Sequence, residues 1–241
     1  MKTAILGWGS LIWLPKELKF DTNIGWKENG PVLPIEFARI SKDGRLTLVI
    51  TANGTEVPTL YSVSCFDSLV LAVLNLKKRE GTSEKYIGSY NKSKDEFSKI
   101  DFSFKENIKI WIQTTDFDAI IWTNLPEKWE YKNENDEIIF VNPDERIEYL
   151  KSLSGEKRKL AEEYIRKAPP QTKTKFRSLI EQELGWLPIE IDINPQFKEK
   201  IDLENKLTFS KMSGSGEIHC LDCNHKESVL SFIHGHDFDL G

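Results

Sequence analysis

AILGWGSLIWLP, residues 4–15, is the stretch on which the reading of this chain turns. Ala4, Ile5 and Leu6 make a short apolar run bounded by glycine, the pattern of a buried strand. Gly7-Trp8-Gly9-Ser10 then reads as a sharp turn. Glycine there permits φ > 0 and lets the backbone approach a bound group closely. Consecutive backbone N–H groups in such a turn make a concave anion site, so the turn is a candidate holder of a carboxylate or phosphate. Three other readings exist. A signal peptide would start at Lys2, but Gly7, Gly9 and Ser10 break its apolar core and no small-residue cleavage site precedes Lys16-Glu17. A dinucleotide fingerprint begins with Gly7-x-Gly9, but Ile12 stands at its third glycine. An ordinary strand–turn of the core remains open, and on spacing alone it is the favourite.

The chain has 241 residues, enough for one large domain or two modest ones and for a sizeable core. Its 39% hydrophobic and 29% charged residues are those of a water-soluble globular protein. No apolar run has the length of a membrane span. Thirty-three basic against 38 acidic residues leave a net charge of −5, which argues against bulk electrostatic binding to nucleic acid or membranes. Three cysteines, Cys65 and the pair Cys220-x-x-Cys223, make no disulfide framework. With no export signal, a reducing cytoplasm is expected. Seven tryptophans are many, and some are expected to line a pocket.

Asn29-Gly30-Pro31 marks a turn. Residues 33–41 alternate, with Leu33, Ile35, Phe37 and, less well, Arg39 on one face and Glu36, Ala38 and Ile40 on the other. Asp43-Gly44 turns into a strand over 45–51, Asn53-Gly54 turns again, and 59–65 is a further strand ending at Cys65, read as a buried core thiol. This is a β meander. Asp67 or Ser68 caps a helix over 68–79, whose basic end suits the helix dipole and which Glu80-Gly81 terminates. Residues 108–113 and 118–123 read as two more strands. A polar stretch at 127–136 is a candidate boundary. Helices follow over 143–167, broken at Ser154-Gly155, and over 174–184, ended by Gly185. The basic run 157–177 reads as a solvated face or, more sharply, as a phosphate-binding one.

The tail from Phe209 carries all four histidines and both paired cysteines. Cys220, Cys223, His225, His234 and His236 are candidate ligands of a structural zinc, in knuckle-like spacing. A second Cys-x-x-Cys is missing and the last two histidines are one residue apart, so a metal-free tail stands beside the zinc reading.

Leu6-Gly7-Trp8-Gly9-Ser10-Leu11-Ile12-Trp13 resembles the signature of the γ-glutamylcyclotransferase superfamily, above all its glutathione-specific ChaC-type branch, where the first strand runs into Gly-Tyr-Gly-Ser-Leu-Ile-Trp. Arg79-Glu80, ending the helix after the meander, resembles the family's Arg-Glu pair, which a glycine-rich step and a tyrosine follow; Tyr86 is the matching tyrosine. The resemblance covers roughly residues 1–125 and the order of elements agrees. It implies an α+β fold, a mixed β-barrel with flanking helices, here with a helical C-terminal extension. It implies a reaction in which the α-amine of a γ-glutamyl amine or peptide attacks its own γ-carbonyl, giving 5-oxoproline and the released amine. Gly7, Trp8, Gly9, Ser10, Leu11, Arg79 and Tyr86 would bind the substrate, and Glu80 would carry the proton from the α-ammonium to the leaving amine. No cofactor is implied for catalysis. Two departures stand out: Trp8 replaces the tyrosine of the family turn, and the step from Glu80 to Tyr86 is longer than the family's. Glu84 and Glu36 are rival bases.

The expected organisation is a γ-glutamylcyclotransferase-like domain over 1–125, a linker and helical extension over 126–205 and a Cys/His tail over 206–241. The expected partner is a small γ-glutamyl compound, with no membrane. The other class of function is a catalytically inactive module that keeps the pocket and binds a small ligand or a partner, nucleic acid included. A pocket with Glu80 facing the Gly9–Leu11 backbone favours the enzyme. A pocket filled by Trp8, with Glu80 in solvent, favours the module.

Overall fold

The apolar run near the amino end forms β1 (Thr3–Gly7), buried at every residue. It sits between an antiparallel neighbour, β5 (Leu60–Val63), and a parallel one, β8 (Ala119–Thr123), with Ile5 opposite both Ser62 and Ile121. Two further strands, β6 (Ile87–Asn91) and β7 (Glu96–Phe97), extend this sheet in the order β5-β1-β8-β6-β7. The computed structural model describes residues 1–133, 135–191 and 193, which all belong to one compact unit.

A second sheet of three strands has β2 (Val32–Ile40) at its centre, with β3 (Leu46–Ile50) and β4 (Thr55–Pro58) on either side. The expected meander over 33–65 is therefore divided. Thr59 alone separates β4 from β5, and there the chain passes from one sheet to the other. Pro58 offers no N–H to continue the ladder, and Thr59 anchors the corner by donating its Oγ1 hydrogen to the Pro31 carbonyl at 2.9 Å. The third sheet is a ribbon of β9 (Glu130–Lys132) and β10 (Ile138–Phe140). The architecture is α+β, but the expected barrel does not form: among the described residues the sheets are open, edged by β5 and β7 in one and by β3 and β4 in the other. A sheet closes only when its two edge strands pair, and β7 is two residues long.

Helix α1 (Leu69–Glu80) ends where expected, with Gly81 left-handed at φ 59° and its N–H on the Lys77 and Lys78 carbonyls. Ser68 holds the N-cap position without a side-chain cap bond. Ala72, Leu76 and Arg79 are its buried residues, over a core cluster of Ile5, Ile12, Trp26 and Ile121. The strand expected over 108–113 is instead the end of α2 (Lys105–Gln113): Ile108 and Ile112, one helical turn apart, are buried, while Ile110 is exposed. Cys65, expected in the core, is exposed.

The chain then folds back through α3 (Arg146–Ser152), α4 (Gly155–Lys167) and α5 (Lys175–Leu184). These helices pack on β2 and β3. Arg146 donates to the Phe37 carbonyl at 2.9 Å and Tyr149 to that of Gly44 at 2.7 Å. Glu36, buried in β2, accepts at once from its neighbour's N–H (Phe37), the hydroxyls of Thr55 and Thr174, and the Phe176 N–H. Thr174 is the N-cap of α5, so the carboxylate closes on a helix N-terminus, where the backbone dipole favours negative charge. Part of the basic run 157–177 is paired in place: Arg166 with Glu162, Lys167 with Glu163, and the buried Arg177 with Glu181. Among the described residues no helix is long and apolar enough to cross a membrane.

Candidate active site

Beyond β1 the backbone coils tightly, the Gly9 carbonyl accepting from the Ile12 N–H at 3.0 Å and the Ser10 carbonyl from the Leu14 N–H at 2.9 Å. The N–H groups of Gly9, Ser10 and Leu11 meet no acceptor among the described residues. Three successive free donors at one turn are what an anion holder of the kind the glycines suggested requires. The reason for glycine differs from the one expected, since neither Gly7 nor Gly9 is in the left-handed region. Close approach is the constraint: a Cβ on Gly7 would lie 2.8 Å from the Trp26 ring, and one on Gly9 would lie 2.6 Å from the Tyr164 hydroxyl.

The end of α1 is tied to this turn by Arg79. Its guanidinium donates to Glu80 at 2.7 Å, to the Leu14 carbonyl at 2.8 Å and to the Ser10 hydroxyl at 3.3 Å. Its buried Nε has no partner among the described residues, a state that costs free energy unless a ligand or water completes it. The fork holds the Glu80 carboxylate in one orientation, and the Glu80 side chain is only 14% exposed. Glu80 and the turn line a common cavity of roughly 280 Å³, a size for a small ligand.

The opposite wall comes from β2, β3 and the helical extension. Arg39 donates to the Pro126 carbonyl at 2.7 Å, and Arg45 pairs with Asp43 at 2.8 Å. With Lys16 and Arg79, they give the lining four cations to the single carboxylate of Glu80. Burial lowers the Arg39 pKa from its ordinary value, opposed by the nearby Tyr86. An excess of cations around a small cavity selects an anionic ligand. Tyr164 of α4 completes this wall. Its ring stands edge-on to Trp13 and Phe37, with the Arg45 guanidinium 5.6 Å from its centre. Its hydroxyl accepts from the Leu48 N–H at 3.3 Å. Burial pushes the phenol up to about 12; the charge of Glu80 adds to the rise, while the Leu48 amide, Arg45 and Arg79 oppose it.

Gly7, Trp8, Gly9, Ser10, Leu11, Arg79 and Glu80 thus line the same cavity, and Trp8 forms part of its wall. Tyr86 does not line it. It sits half-buried on a 3-10 turn (Glu84–Tyr86), under the Lys85 ammonium, and meets the site only through its electrostatic contact with Arg39. The rival bases are elsewhere: Glu84 is 65% exposed beside Lys77, and Glu36 is the latch on α5. Lys16, Arg39, Arg45 and Tyr164 were not anticipated. Arg39 left a trace, since it interrupts the apolar face of its strand; the structure places a register shift between Phe37 and Arg39. Nothing in the sequence distinguishes Tyr164 from the other apolar positions of its helix.

The tail candidates Cys220, Cys223, His225, His234 and His236 lie outside the described residues. Among the described residues no group of three or more His, Cys, Asp or Glu side chains is placed to hold a metal. No family model, curated protein or solved structure matches the chain.

Proposed function

We propose that this cavity binds a γ-glutamyl amine or peptide and cyclises it to 5-oxoproline with release of the amine. One observation carries the reading: a nearly buried carboxylate, Glu80, lines the same small cavity as a turn with three unpartnered N–H groups. The turn suits the permanent charge of the substrate's α-carboxylate. Glu80 then takes one proton from the α-ammonium, and the freed amine attacks the γ-carbonyl. The new C–N bond closes a five-membered ring. The ring nitrogen gives a second proton to water, the bond to the leaving nitrogen breaks, and Glu80 returns its proton to that nitrogen, which takes another from water. Because the attack is intramolecular, holding the substrate in the folded-back conformation supplies much of the rate.

The paired match of turn and Arg-Glu supports reading the α+β architecture as a γ-glutamylcyclotransferase-like fold in an open form. The exposed free thiol of Cys65 suits the reducing cytoplasm in which we place the reaction. The test is 5-oxoproline release from a panel of γ-glutamyl compounds, glutathione included, by wild type and Glu80→Gln. Removing a general acid–base group lowers turnover by about 10²–10⁴-fold, and that loss is expected in the variant. Release that survives Glu80→Gln removes Glu80 from the mechanism. No release from any compound by wild type sinks the reading and leaves a binding pocket.

A further inference from the structure

Tyr164 lines the cavity, and the proposed reaction has not yet used it. Its hydroxyl accepts from the Leu48 N–H, yet its own hydrogen finds no acceptor among the described residues. A buried hydroxyl with an idle donor is uncommon, because the lost hydrogen bond to water is not replaced. Tyr164 lines the cavity, and its hydroxyl lies against Gly9 of the turn and interacts electrostatically with Glu80. Its ring is fixed between Trp13, Phe37 and the Arg45 guanidinium. The hydroxyl oxygen is therefore held in place before any ligand arrives.

We infer that the Tyr164 hydroxyl is a catalytic hydrogen-bond donor, stabilising the negative charge that develops on the γ-carbonyl oxygen as the ring closes. The inference rests on the cyclisation reading. It distributes the donors by charge: the turn N–H groups meet the permanent carboxylate, and the phenol meets the oxygen of the γ-carbonyl that the amine freed by Glu80 attacks. The phenol keeps its proton throughout. When the carbon–nitrogen bond forms, the carbonyl π electrons move to oxygen, and the O–H bond of Tyr164 points at that charge. When the leaving nitrogen departs, those electrons return and the lactam carbonyl forms. Donors held in place in a water-poor site are effective because no reorganisation accompanies the reaction. The helical extension thereby supplies chemistry as well as a wall.

Three proteins decide the matter: wild type, Tyr164→Phe, and the chain carrying 3,5-difluorotyrosine at position 164. The last keeps the acceptor for Leu48 but has a more acidic phenol, so it reports even if the phenylalanine variant folds poorly. Steady-state 5-oxoproline release is followed against pH for each, with melting curves alongside. Tyr164→Phe is expected to lower kcat by about 100-fold, with KM changed less than threefold, the pattern of an interaction made in the transition state. The fluorinated chain is expected to lose activity at lower pH than wild type on the alkaline side, a shift that a packing role would not produce. A kcat within threefold of wild type in Tyr164→Phe, or an unmoved alkaline limb in the fluorinated chain, overturns the assignment and leaves cyclisation standing. A wild type that releases no 5-oxoproline overturns the cyclisation reading and the assignment together.

Discussion

Gly9→Ala tests the contact on which the site depends. An added Cβ would lie 2.6 Å from the Tyr164 hydroxyl oxygen and 3.6 Å from the carbon that bears it. It needs a retreat of about 0.8 Å to reach ordinary van der Waals contact. The backbone at Gly9 is not left-handed, so alanine fits it conformationally and the effect is steric. Tyr164 cannot yield freely, with Trp13 at 5.4 Å and Phe37 at 6.5 Å between ring centres and its hydroxyl held on Leu48. Overpacking of this kind costs about 1–3 kcal/mol, which for a chain of this size lowers the melting midpoint by roughly 3–10 °C. In a Tyr164→Phe background the offending oxygen is absent, and the nearest atom sits at the ordinary distance of 3.6 Å. There Gly9→Ala is expected to be neutral, or to stabilise by about 0.4–1 kcal/mol through the unfolded chain. Urea denaturation of the four proteins in this double-mutant cycle measures the coupling. An equal cost of Gly9→Ala in both backgrounds would refute the packing argument.

Two further outcomes are expected. Glu36→Ala leaves the Thr174 hydroxyl and the Phe176 N–H without their buried acceptor, and is expected to lower stability by about 3 kcal/mol or more, read as a fall in the denaturation midpoint. Stability should also decline on the alkaline side. The Tyr164 phenol titrates near 10 when unfolded and about 12 when folded, so between those values the unfolded chain has lost a proton that the native one keeps, and its stabilisation is full below pH 10 and lost as pH rises to 12. The loss attributable to Tyr164 is about 2–3 kcal/mol. Burial raises the Tyr149 phenol as well, so Tyr164→Phe should make the alkaline slope shallower without abolishing it, in denaturation curves taken from pH 9 to 12.

What could be read from the sequence was local. The turn at Gly7–Leu11 and the Arg79-Glu80 pair lie in short stretches whose residue types are unusual for a plain strand end or helix end. The helix ends at Gly81 and Gly185 were legible for the same reason: each is decided by the backbone within one turn. Residues 108–113 misled because isoleucines at 108, 110 and 112 imitate strand alternation. Their burial is decided by which neighbours arrive, and Ile110 faces water. β6 went unread because Ile-Gly-Ser-Tyr-Asn has little strand propensity, yet all five residues are buried beside β8. Gly88 is needed there, since a Cβ would lie 2.1 Å from the Trp122 ring. The cationic wall and Tyr164 were illegible for a different reason. They come from the second sheet and α4, which are distant in sequence from the turn and meet it only in the tertiary fold.

The folding back of the extension has a consequence for synthesis. The turn at Gly9 is translated before the phenol that lies against it, which follows about 155 residues later. Until α4 has emerged from the ribosome and docked on β3, the nascent chain has the turn, the Arg79–Glu80 pair and the cations of the second sheet but lacks Tyr164, the part of the opposing wall that α4 supplies. The pocket is thus closed late in translation, and a chain cut short after its first 125 residues would leave the ribosome with that pocket open on one side.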